Sequence, residues 1–285
     1  MWSTGWVETR VVEGRAPVVR VVRDAAPLMA RLAAPVPARG PWLTAVLNAQ
    51  SSSPLCRVRP RAVVVERSGL PDGAALLSSC RRGVATAVTL LGSGAVPLPA
   101  GRPPARLHAR DDDVARRLAQ GVADLVQGIR GPWTLRLAGL PLGDPTVAHL
   151  AAVLPDSSLS TSRSRLLVDE LDTVGDVRRS REPAEVDRWL PAVLARLPAR
   201  QRTVVRAVAR LHAAIGQLEV ATVPGPRGPA ALLLTLVQSR PGGDDRWPWW
   251  GSTDIGGLRR ELGAPWVALT ASAGLVRLSR GTAAG

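Results

Sequence analysis

The residue types best suited to chemistry gather in Arg246-Trp247-Pro248-Trp249-Trp250-Gly251-Ser252-Thr253-Asp254. Three Trp within four residues, with Arg246 before them and Arg259-Arg260 after, could stack a nucleobase, an adenine ring or another planar acyl donor. Ser252, Thr253 or Asp254 would then cap a short helix over residues 253–262, whose free N–H groups could receive an anion. Trp249, Trp250, Ser252, Thr253 and Arg259 are the binding residues on this reading. The same Trp side chains could instead fill a core, because the sequence contains no Phe or Tyr to do so. Both readings stay open at this point.

Other groups carry less. Gly92-Ser93-Gly94 lacks the third glycine, the following helix and the acidic partner of a dinucleotide loop, and a chain without Lys has no phosphate-loop lysine. A turn is the better account. Asp111-Asp112-Asp113 heads an apolar-periodic run, where carboxylates cap a helix and complement its dipole rather than gather a metal. His108 and His149 could each serve as a general base, but neither has a nucleophile or carboxylate nearby in the sequence. His212, one position from Leu211 on an apolar face, fits a core histidine. Glu66, Asp169 and Glu170 lie at strand ends, and solvated surface is their default. Cys56 and Cys80 have no partner at metal-ligand spacing and are expected as reduced, partly buried thiols. No metal is expected.

The formal net charge is +14, and all 37 basic side chains are Arg. A nucleic-acid partner would fit that sign, yet the densest basic clusters are pairs such as Arg81-Arg82, Arg178-Arg179 and Arg259-Arg260. A spread of Arg, Ala, Gly, Pro, Val and Leu is also what a GC-rich genome writes into any protein. That reading ranks first, and nucleic acid second. Hydrophobic residues make up 46% of the chain, which suits a globular protein. The N-terminus lacks a basic, then apolar, leader, and no uninterrupted apolar run reaches about 18 residues. The expectation is a cytoplasmic protein with no membrane partner.

These residues must be held by regular elements, and the periodicity supplies them. Residues 7–12 and 18–22 are Val-rich and read as extended, followed by a Pro-rich passage to Pro41. A helix over 42–50, strands over 61–66, 74–79 and 84–91 around a turn at 68–73, and a meander between them follow. Val114, Leu118, Val122, Leu125, Val126 and Ile129 recur at helical spacing. A strand over 133–137, a helix from Asp144-Pro145 through Leu154, and a strand over 165–171 complete this half. Polar residues 172–183 separate it from two further amphipathic helices, 185–197 and 204–218, divided by Pro198. Strands over 219–223 and 231–237 flank a Pro-Gly turn, and a strand pair over 266–278 ends the pattern.

That element order resembles the GNAT-fold acyltransferases of tandem, FemAB-like type. The likeness is carried by Pro41-Trp42-Leu43 opening a helix, Ala62-Val63-Val64-Val65-Glu66 with its glycine turn, and Thr89-Leu90-Leu91-Gly92. It continues through the Asp111 helix, Trp133-Thr134-Leu135-Arg136-Leu137 and Leu140-Pro141. Cys80-Arg81-Arg82-Gly83-Val84-Ala85 is similar to the family's Arg/Gln-x-x-Gly-x-Gly/Ala loop, one place out of register. In that loop backbone N–H groups and a helix start hold the coenzyme A diphosphate. The resemblance implies an α/β protein with two tandem GNAT-like lobes of mixed sheet flanked by helices. It divides the chain into an N-terminal arm of strands (1–40), a first lobe (41–171) and a second lobe (172–285). It implies transfer of an acyl group from a thioester or charged donor to an amine, with a coenzyme A thioester held near Arg81, Arg82 and Gly83. A parallel strand pair should splay to admit the coenzyme. No catalytic residue is carried over by motif. The alternative is a non-catalytic binding protein on the same fold, recognising an anionic aromatic ligand or nucleic acid through Arg and Trp.

Overall fold

The computed structural model describes residues 6–51, 58–93, 104–226, 228–240 and 243–274. Strand β1 (Val7–Glu13) forms where the Val-rich opening predicts it. The second Val-rich piece is not extended. It lies in helix α1 (Arg15–Asp24), which buries Val18, Val21 and Val22. A three-and-four spacing puts those residues on one helical face, and burying that stripe outweighs the β preference of valine. Helix α2 (Ala26–Arg31) follows, and α3 (Gly40–Ser51) starts with Pro41 in its first turn, as expected.

Strands β2 (Arg59–Arg67), β3 (Leu70–Arg82) and β4 (Ala85–Leu90) form the meander. The first turn is tighter than the sequence implies. Ser68 and Gly69 alone make it, with φ of 53° and 78°, and Pro71 to Gly73 belong to β3. Positive φ at both positions matches the twist of a two-residue hairpin. After them come β5 (His108–Ala109), α4 (Asp112–Gln127), β6 (Trp133–Pro141), α5 (Pro145–Val153) and β7 (Ser158–Asp169).

The second half repeats the opening order of strand, helices and three antiparallel strands. Its elements are β8 (Arg178–Ser180), α6 (Pro183–Ala195), α7 (Ala199–Ala214), β9 (Leu218–Gly225), β10 (Gly228–Arg240) and β11 (Gly243–Thr253). The helix expected over 253–262 does not form. Gly256 and Gly257 take φ of 86° and 78°, and the chain turns directly into β12 (Leu258–Ala273). Two consecutive residues in the left-handed region cannot continue a right-handed helix. Thr253 closes the turn itself: its Oγ1 donates to Gly256 O at 2.6 Å and accepts from Ile255 N at 3.2 Å. The expected final strand pair is the single strand β12, and residues 275–278 lie outside the described residues.

One sheet runs β1-β2-β3-β4-β6-β12-β7, with β5 beside β3, and the other runs β11-β10-β9-β8. The first is mixed, because β4 and β6 are parallel while its other pairs are antiparallel. β12 leaves the second half and inserts between β6 and β7, antiparallel to both. The molecule is therefore a mixed α/β protein whose sheets are flanked by helices. One core lies between the first sheet, the second sheet and helices α1, α3, α6 and α7, and includes Val64, Trp42, Leu234, Trp249 and Trp250. A second covers the opposite face of the first sheet with α4 and α5, through Leu118, Leu135 and Leu150, and a small third gathers Leu171, Ala221 and Leu233. Cys80 carries a disulfide rather than the free thiol expected of it, and Cys56 lies outside the described residues. Among the described residues no helix is long and apolar enough to cross a membrane.

Candidate functional site at the parallel strand pair

Strands β4 and β6 pair in parallel from Thr86↔Trp133 to Thr89↔Arg136, and β6 then runs on to Pro141 without β4 beside it. Helices α4 and α5 both start at the carboxyl ends of this parallel system, which is where open α/β sheets place ligands. The opening past Thr89 is spanned by the chain itself. Ala105 N donates to Gly139 O at 2.8 Å, Leu107 is buried, and β5 pairs with Gly73 and Ala74 of β3. Residues 104–109 thus occupy ground where the resemblance puts an open cleft.

The two helix starts are acidic and internally bonded. Asp111 caps α4 by accepting from Val114 N at 2.9 Å, and Asp144 caps α5 by accepting from Thr146 N at 2.9 Å. Both caps were legible in the sequence. Burial pushes the Asp144 carboxyl above its ordinary range. Asp112 Oδ1 lies 2.8 Å from His149 Nε2, and that hydrogen bond holds Asp112 below the usual carboxylate range. His149 therefore has the carboxylate partner that the sequence did not show. The two residues are 37 positions apart, and only the packing of α4 on α5 joins them. His108, by contrast, is buried within β5, with Nε2 3.1 Å from Ala38 O. Burial lowers its pKa to about 4, so it is neutral and enclosed rather than an exposed base.

Arg110, Asp113 and Ala115 fall at the spacing of the Arg-x-x-Gly-x-Ala loop, at a real strand-to-helix junction. This match was visible in the sequence and missed, because the acidic run read only as a cap. Asp113 stands where the loop has its first glycine. Arg110 is turned to Asp72 at 3.1 Å, and Arg116 and Arg117 each reach Asp113 at 3.2 Å. Asp111 already occupies the Val114 N–H. The helix start thus already has its anionic cap, and Arg110, Arg116 and Arg117 are each engaged by carboxylates, so its donors and cations are taken up internally. These residues do not fit the diphosphate of coenzyme A.

Arg81, Arg82 and Gly83 sit apart from this junction. They form the end of β3 and its exposed hairpin into β4, where Gly83 has φ 61° and Arg81 Nε donates to Gly83 O at 3.3 Å. A strand follows them, not a helix. Trp249 and Trp250 lie in the other sheet and are 1% and 4% exposed. Trp249 and Trp247 each meet Trp42 edge-to-face, with ring centroids 5.6 Å apart. The charges near them are paired internally. Arg246 grips buried Glu219 with both NH groups, and Arg259 NH2 reaches Glu170 Oε1 at 2.7 Å. Ser252 and Thr253 end β11 and cap no helix. Among the described residues, no three His, Cys, Asp or Glu side chains come together as metal ligands.

No family model matches the sequence, and no curated protein matches it. Among solved structures, the chain is similar to a tandem GNAT protein from the clavulanic acid biosynthesis pathway, at 16% identity and TM-score 0.44, over 94% of this chain and 100% of that one. It is also similar to a GCN5-related N-acetyltransferase from Anabaena variabilis, at 8% identity and TM-score 0.32, over 91% of this chain and 72% of that one. A conserved Enterococcus faecalis protein, named a probable N-acyltransferase, is 10% identical with TM-score 0.33 over 92% and 72% of the two chains. Likenesses at this level describe a similar course of the backbone and say nothing of activity.

Proposed function

We propose that the chain is an N-acyltransferase of GNAT type, moving an acyl group from a thioester or charged donor to an amine. The observation that carries this is the parallel β4–β6 pair, which ends at Thr89↔Arg136 while β6 continues and two helices start at its carboxyl end. An amine must lose its proton to attack an acyl carbon, and the His149–Asp112 pair supplies a base at that end, with the carboxylate orienting the ring. The acidic junction argues that the donor is not held there by a diphosphate. Its recognition would fall on the acyl-thioester arm, or on a donor of the charged, FemAB-like kind. The alternative, ligand recognition through Trp249 and Trp250, has less to support it because both rings are enclosed.

The test compares acetyl-coenzyme A with S-acetylpantetheine, which has the same thioester arm and no diphosphate. Calorimetry and an amine-acylation assay should give dissociation constants for the two within about threefold of each other. His149→Ala should lower acylation by about 10²-fold or more. A tenfold or greater preference for the coenzyme would overturn the reading of the junction. Absence of both binding and acylation with either donor at millimolar concentration would overturn the transferase reading.

A further inference from the structure

We propose that the second half carries a separate binding site for a small planar carboxylate, in the cavity between α6 and the edge formed by β8, β9 and the β9–β10 turn. This site is independent of the transferase reading. Its volume is about 420 Å³, within the range of small-molecule sites.

The strand register sets which side chains face it. Arg178 pairs with Thr222 and Ser180 with Val220, so these four share one face of the sheet, and all four line the cavity under α6. Arg179 and Arg181 alternate to the opposite face, where both pair with acidic groups: Arg179 with Asp169, Asp172 and Glu219, and Arg181 with Glu219 and Asp244. Arg178 makes no ion pair among the described residues. One strand of three residues thus has its even-numbered arginine free and its odd-numbered neighbour fully engaged.

The wall opposite is aromatic and fixed. Trp189 Nε1 donates to Glu185 Oε2 at 3.2 Å, which locks the indole, and its ring packs partly against the core. Arg188 lies 5.1 Å from the same ring centroid, and its NH1 reaches Glu185 Oε1 at 3.3 Å. Glu185 is therefore engaged by both neighbours and leaves Arg178 unanswered. Two arginines against one carboxylate make the cavity net positive. Trp189 on one side and Val220 with Pro224 on the other give it flat apolar walls. A planar acid fits this combination. Its ring would lie along Trp189, and its carboxylate would meet the guanidinium fork of Arg178 with the Ser180 and Thr222 hydroxyls beside it.

The probe is indole-3-acetate, titrated calorimetrically beside its uncharged isostere indole-3-acetamide. The acetate should bind at least tenfold more tightly than the amide, and Arg178→Gln should reduce its affinity to the amide's. Arg178 is exposed and unpaired, so this variant should melt with the parent protein. Arg81→Gln, in the first sheet, should leave both affinities unchanged. The site is overturned if neither compound binds at millimolar concentration, if the amide binds as well as the acetate, or if Arg178→Gln leaves the acetate's affinity as it was.

Discussion

At the scale of single residues, the buried histidines make the clearest statement about this protein. His108 is enclosed between the first sheet and the segment that bears Ala38, and burial puts its folded pKa at about 4. Its unfolded pKa is near 6.5, so the unfolded chain takes up a proton first as pH falls. The contribution of neutral His108 is complete above that value and is lost progressively as pH falls towards 4. Burial lowers the pKa of His212 in the same direction. Urea denaturation at pH 7.5 and at pH 4.5 should show a loss of about 3 kcal/mol attributable to His108. His108→Gln should flatten that dependence, and an equally steep loss in the variant would place it elsewhere. His212 was legible as a core residue from its place beside Leu211. His108 was not, because nothing local reveals that a two-residue strand will be roofed by the chain at Ala38.

At the scale of elements, β11 decides what the Trp-rich stretch is for. It pairs with β10 through Leu234↔Trp250 and Leu236↔Trp247, and Pro248 sits at the register shift beside Thr235. A proline at an irregularity of an outer strand removes no ladder hydrogen bond. The rings then interlock with Trp42 from α3, so one aromatic cluster joins the two halves. Trp249→Ala should cost about 3–5 kcal/mol, read from denaturant midpoints, because a large ring leaves a cavity that its neighbours cannot refill. A loss below about 1 kcal/mol would mean that the ring is not packed as described. Sequence reasoning placed α3, α4, α5 and α6 well, since their apolar stripes and caps are local signals. It failed at residues 18–22 and 253–262, where valine propensity and hydroxyl-cap chemistry pointed one way and burial and positive-φ glycines the other.

At the scale of the whole molecule, the halves are not separable beads. β12 comes from late in the chain, yet it supplies the strand between β6 and β7, with partners from Pro141 to Trp133 on one side and from Asp169 to Ser158 on the other. A fragment ending at residue 171 would leave β6 with an open edge and β7 with no sheet to join. Expressed alone, residues 1–171 should be insoluble or molten, and adding residues 172–285 in trans should restore a cooperative melt if the halves associate. A soluble fragment with a sharp thermal transition of its own would contradict this topology.

The sequence by itself determined the mixed α/β class, the amphipathic helices, the aspartate caps and the meander, because each depends on periodicity or on contacts within a few residues. Tertiary structure alone decided the rest. It brought Asp112 to His149, engaged Arg246 and Arg259 with carboxylates, enclosed Trp249 and Trp250, and left Arg178 free beside Trp189. Each of those depends on which distant strand or helix lies opposite. A one-residue alternation along β8 separates a paired arginine from an unpaired one, and only the register of β8 against β9, on the far side of two helices in the chain, decides what each of them faces.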